Sequence, residues 1–243
     1  MAFFEQDDVR IYYEVHGEGF PVLLIAPGGM QSAVSFWENT PWNPIEQLSQ
    51  HYQVIAMDQR NAGQSTAPVS ATDSWHVYTD DQLKLLDHLG VDRFHVAGMC
   101  IGGSYIMGLI DRAPQRVASA VVFQTIGLDD NRPVFFEMFD NWAEPLKSKH
   151  AEVPDTAWTS FRQSMYGGDF LFSVDREFVT TCTTPMLVLC GRDVYHPEVC
   201  SRELAELAPN ASLIEFWKEG EAMVAAKGEV EVFLAQNTPG AVA

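Results

Sequence analysis

Continuous apolar runs at residues 21–26, 52–57, 94–97, 118–123 and 186–190 punctuate the chain. Runs of this length suit strands buried on both faces. Residues 9–16 instead alternate apolar and polar before the Gly17-Glu-Gly19 turn, which predicts an early antiparallel strand. A last strand is expected at 212–217. Helical spacing lies between the runs. Residues 80–89 place Leu83, Leu85, Leu86 and Leu89 on one side and stop at Gly90. Residues 101–112 are small and apolar up to Pro114, and 200–207 and 222–234 are amphipathic. Strands alternating with helices imply an α/β fold with a mostly parallel sheet covered on both faces.

The rhythm breaks between 125 and 184. This stretch is rich in aromatic residues and separates two core strands. A long insertion at such a point is usually functional, and a cap or lid is expected. The organisation read from the pattern is one domain over 1–243, with a core at 1–124 and 185–243 and a cap at 125–184.

Composition changes this picture little. Of 243 residues, 47% are hydrophobic and 20% charged, as in an ordinary globule. The formal net charge of −18 argues against nucleic acid and anionic membranes as partners, since both need basic patches. No apolar run approaches the roughly 18 residues of a membrane span. The first residues show no export signal, so a cytoplasmic protein with reduced thiols is expected. Cys100, Cys182, Cys190 and Cys200 have neither zinc spacing nor the density of a disulfide framework. No metal cluster, G-x-G-x-x-G or phosphate loop is present in the pattern, so no cofactor is expected.

The most informative stretch is His95-Val-Ala-Gly-Met-Cys100-Ile-Gly-Gly103. An apolar strand runs into G-x-C-x-G-G and then into a helix. This context fits a nucleophile elbow, in which the central residue is exposed on a strained turn. The flanking glycines let strand and helix approach. A thiol at a helix N-terminus is favoured as thiolate, and the Ile101 N–H is placed to meet a developing oxyanion.

On these residues the chain resembles the α/β-hydrolase superfamily over nearly its whole length. Ala26-Pro-Gly28-Gly29-Met30 resembles the family's oxyanion loop, with Pro27 where a histidine is usual. The resemblance implies Gly29 or Met30 as the second oxyanion donor. Asp58-Gln-Arg-Asn-Ala-Gly63-Gln-Ser65 resembles a structural turn of the family. Gly191-Arg-Asp193 looks like the segment carrying the acid. The cysteine box is similar to those of dienelactone hydrolases and polyhydroxyalkanoate synthases.

One part of the pattern departs from the family. The loop expected to carry the base reads Trp217-Lys-Glu-Gly-Glu221, with Glu221 at the histidine position and no histidine after His196. Three explanations stand open. His196 lies three residues from Asp193, about 10 Å of extended chain, and supplies the imidazole. Alternatively, Glu221 or Lys218 assists a cysteine that needs less help than a serine. In the third, the domain is a catalytically inactive binding module. The expectation is a hydrolase or acyl transferase acting on an ester, thioester or lactone through Cys100. A non-hydrolytic lyase or isomerase is the alternative enzyme. The partner is a small, partly hydrophobic acyl substrate, and the sequence leaves a homo-oligomer open.

Overall fold

A computed structural model describes residues 2–240 of the chain. The strands are β1 (Ala2–Gln6), β2 (Val9–His16), β3 (Phe20–Ile25), β4 (Tyr52–Met57), β5 (Phe94–Met99), β6 (Val117–Phe123), β7 (Met186–Leu189) and β8 (Ala211–Ile214). The helices are α1 (Pro44–Leu48), α2 (Trp75–His88), α3 (Ile101–Arg112), α4 (Arg132–Lys147), α5 (Asp155–Tyr166), α6 (Arg176–Thr181), α7 (Glu198–Leu207) and α8 (Gly220–Asn237). The sheet order is β1-β2-β4-β3-β5-β6-β7-β8. β1 and β2 pair antiparallel, β2 joins β4 antiparallel, and every later pairing is parallel.

The apolar runs become strands because each is covered on both faces. β5 and β6 are buried at every position. Even His95 on β5 is buried, and its ring is bonded to the Ser119 and Thr238 hydroxyls at 2.8 and 2.9 Å. Burial lowers its pKa to about 4, so this imidazole is a neutral packing group.

The pattern needs correction at three places. The hairpin strand β1 was not anticipated, because it is short and half-exposed and lacks a clean alternation. Helix α2 begins at Trp75, five residues before the expected start, and includes His76. Strand β8 spans Ala211–Ile214 where 212–217 was expected. Glu215 leaves the sheet to meet Arg202 at 2.9 Å, and Phe216 turns outward under the Arg192 guanidinium.

The segment between β6 and β7 forms α4, α5 and α6 and covers the C-terminal edge of the sheet. Its core is aromatic, with Phe139 in edge contact with both Trp142 and Phe161. Asn131, just before α4, ties this segment to the loop after β7 through Nδ2 to the Val194 carbonyl at 2.6 Å.

Among the described residues, no helix is long and apolar enough to cross a membrane. No group of three His, Cys, Asp or Glu side chains there is placed to hold a metal ion.

Candidate active site

Cys100 is the hinge between β5 and α3, with φ 62° and ψ −117°. A non-glycine residue in this region is strained by about 1–3 kcal/mol and is held there only by its surroundings. The holding contacts are specific. The Cys100 N–H donates to the Phe123 carbonyl at 3.0 Å, and its carbonyl accepts from Gly103 and Ile126, both at 3.1 Å. The glycines of the box are required by close approach. A Cβ on Gly98 would lie 3.1 Å from the Gly102 backbone, and one on Gly103 would lie 2.2 Å from the Thr125 hydroxyl. The sequence G-x-C-x-G-G thus folds this way because strand and helix cross without room for side chains.

The loop after β3 faces the same edge. Gly28 and Gly29 have φ of 117° and 58°, and a Cβ on Gly28 would meet the Phe36 ring at 2.9 Å. The Asp58 turn braces this loop. Its carboxylate accepts from the Val34 N–H at 2.7 Å and from the Gln64 N–H at 2.8 Å. Arg60 within the turn is buried and forms a two-pronged pair with Asp81 at 2.8 and 3.0 Å.

The loop after β7 carries both Asp193 and His196. The Asp193 carboxylate spans the His196 Nδ1 at 2.7 and 2.8 Å. It also accepts from the backbone N–H groups of Tyr195 and His196, each at 3.0 Å. Gly191 makes this turn possible, since a Cβ there would lie 2.5 Å from both the His196 Cβ and its carbonyl oxygen. His196 is 9% exposed and Cys100 also 9%, while the Asp193 side chain is nearly half exposed.

These groups perturb one another. Burial opposes the Cys100 thiolate, but the His196 charge and hydrogen bonding, with the N–H groups of Gly28 and Gly29, outweigh it and lower the thiol's pKa. Burial likewise opposes the imidazolium, yet the Cys100 charge and the Asp193 hydrogen bond raise His196 to about 9. The His196 hydrogen bond holds Asp193 at about 2. The His196 Nε2 is buried and completes no hydrogen bond of ordinary geometry. The thiol and the ring are thus coupled in charge but not yet locked in a linear bond. A loose pair of this kind is common before substrate binds.

Of the residues expected from the sequence, Cys100, Gly29, Asp193 and His196 converge. Ile101 follows the thiol in the chain and opens α3, and Met30 lies in the single helical turn Gly29–Gln31 after β3. Gly28 was missed as a donor. Its positive φ is the feature that turns its N–H, and the sequence shows it only as one glycine of a pair. Glu221 does not join the group. It is exposed in the first turn of α8 and makes no hydrogen bond or ion pair among the described residues. The place beside that loop is filled by Trp217, whose Nε1 donates to the Cys190 carbonyl at 2.8 Å.

The family model for the alpha/beta hydrolase fold matches residues 21–180. The chain belongs to the α/β-hydrolase family. A Stutzerimonas stutzeri protein named "Putative carbamate hydrolase RutD" is 33% identical over 84% of this chain and 86% of its own length. A protein of the same name from Azorhizobium caulinodans is 38% identical, over 50% of this chain and 43% of its own. Among solved structures, the enol-lactonase of Burkholderia xenovorans superposes with a TM-score of 0.71 at 21% identity, covering 96% of this chain and 99% of that one. That likeness concerns the fold.

Proposed function

We propose that the protein is a hydrolase that attacks an activated acyl carbon with Cys100, the substrate being an ester, thioester or lactone. The observation that carries this reading is the coupling of Cys100 to a histidine that its own loop carboxylate orients. A strained elbow is costly to keep in a domain that only binds, and the thiol it presents has its pKa lowered beside an oriented imidazole.

In this mechanism the Cys100 thiolate adds to the carbonyl carbon. The electron pair of the C=O bond moves to oxygen, and the N–H groups of Ile101 and of Gly29 or Met30 stabilise that oxyanion. Collapse expels the leaving group, which takes the proton from His196 Nε2. Water then gives a proton to His196 and adds to the thioester, and the Cys100 sulfur departs as thiolate. Asp193 holds the ring with Nδ1–H toward its carboxylate throughout, which leaves Nε2 free for both transfers. The names of the Stutzerimonas and Azorhizobium relatives add a carbamate to the substrates worth testing.

The test is turnover of a p-nitrophenyl ester and an acyl thioester, with mass spectrometry of the intact protein after rapid quenching. An acyl adduct on Cys100, absent in Cys100→Ala together with turnover, is the expected result. An adduct on Cys100 would exclude the lyase or isomerase alternative, and turnover without one would point to direct attack by water. Full activity in Cys100→Ala would overturn the reading.

A further inference from the structure

Three phenol groups of the structure are buried without a partner. Tyr78 on α2, Tyr105 on α3 and Tyr166 at the end of α5 are 0%, 1% and 0% exposed. None of their hydroxyls makes a hydrogen bond. Buried hydroxyls are ordinarily paired, and leaving one unpaired costs on the order of 1–3 kcal/mol. Phenylalanine would avoid that cost, and it is used at Phe135, whose buried ring stacks 5.4 Å from Tyr166. The hydroxyls therefore call for an explanation that the fold does not supply.

The three groups come from separate elements and meet. The Tyr78 and Tyr105 rings lie 5.1 Å apart. The Trp75 ring contacts Tyr105 at 5.3 Å and Tyr166 at 5.9 Å. Trp75 is itself satisfied, since its Nε1 donates to the Met165 carbonyl at 2.8 Å. Tyr105 lies one turn along the helix that Cys100 begins. Burial holds the Tyr105 and Tyr166 phenols protonated, and the nearby Cys100 thiolate pushes in the same direction. The thiol and the phenols thus share one enclosed neighbourhood, and the phenols enter it as donors.

We infer that the hydroxyls of Tyr78, Tyr105 and Tyr166 form a recognition subsite beside Cys100 for a second, uncharged oxygen acceptor on the substrate, a ketone or amide carbonyl carried by the acyl chain. A carbonyl oxygen has two lone pairs and accepts from two phenols at once. A carboxylate fits poorly. It would face the Cys100 thiolate across a dry site, and the Arg60 charge that acts on this cluster is already paired with Asp81. This subsite rests on the reading that the substrate reacts at Cys100.

Unreactive amides separate the two claims. Titration calorimetry with 3-oxohexanamide, 5-oxohexanamide and hexanamide measures recognition without chemistry. At least one oxo-amide is expected to bind the wild-type protein about tenfold more tightly than hexanamide, as a hydrogen-bonded carbonyl should. That ratio is expected to fall toward one in Tyr105→Phe and in Tyr166→Phe. If one variant does not fold, the other carries the test. Equal affinities of all three amides for the wild type, or a preference that survives both substitutions, would overturn the subsite. Tyrosine-dependent preference in a protein that hydrolyses no ester would leave the subsite standing and remove the hydrolase reading.

Discussion

The Asp193 carboxylate grips His196 twice, at the ring Nδ1 at 2.7 Å and at the backbone N–H at 3.0 Å. In the proposed mechanism, acid and base are therefore parts of one short turn. The usual arrangement takes them from loops on two different strands, so this pair needs no agreement between distant segments.

The base is therefore expected at His196 and nowhere on the last loop. His196→Ala should lower kcat/KM by roughly 10²–10⁴-fold, the usual weight of a positioned general base. Glu221→Gln should leave it within about twofold, as expected of an exposed loop carboxylate. Steady-state kinetics on one ester checks both, and the reverse order would return the role to Glu221.

Alkylation reports the thiolate directly. The rate of Cys100 modification by iodoacetamide should rise at a pH below the ordinary thiol value of about 8.5. In His196→Gln the inflection should move upward, since its charge is the largest influence favouring the thiolate. Cys200, which burial pushes up to about 12, should stay unmodified in the same peptide map.

Stability should depend on pH through this turn at both ends. Asp193 is depressed to about 2, so its stabilisation is complete above its ordinary value of 3.8 and is lost as pH falls through about 2. His196 is raised to about 9, so its contribution is full below 6.5 and is lost as pH rises through about 9. Melting temperatures across pH should show both limbs in the wild type. Asp193→Asn should flatten the acid limb.

Gly191→Ala places a Cβ 2.5 Å from two His196 atoms. Overpacking of this kind costs about 1–3 kcal/mol. The larger effect should be on kcat, because the turn shifts the ring away from the thiol. Melting measured beside kinetics distinguishes the two losses, and unchanged kcat would show that the ring tolerates displacement.

Access to the thiol should depend on Met138 of the cap. Its sulfur lies 2.3 Å from where a Gly29 Cβ would sit, so this thioether closes over the glycine loop. Met138→Ala should raise the rate at which a bulky maleimide labels Cys100 by about tenfold or more, as removal of a flexible plug allows. An unchanged rate would place the entrance elsewhere.

Much of this was legible in the sequence, for physical reasons. The buried strands show as apolar runs because both faces are covered, and the elbow shows as glycines because only glycine fits at 98, against the start of α3, and at 103, against Thr125 after β6. The end of β8 was not legible. Phe216 and Trp217 extend the apolar run, yet one lies outside on Arg192 and the other folds inward onto the Cys190 carbonyl. The start of α2 was hidden because that helix buries Thr79, Asp81 and Gln82, which blurs its apolar stripe. At the site, the spacing of Asp193 and His196 allowed their pairing but could not show that the turn closes. Gly191 supplied the missing condition, and its role is visible only when His196 is packed against it.

The self-contained turn after β7 also changes what the end of the chain, from β8 onward, is for. In the proposed mechanism β8 and α8 have no proton-carrying residue to aim and act as a buttress, with the chain just past α8 bonded to β5 through Thr238 and His95. Length changes in the loop at 215–219 should then be tolerated by the chemistry and judged by folding only. With its chemistry placed in that turn, a chain of this design can drift at its C-terminus without detuning its active site.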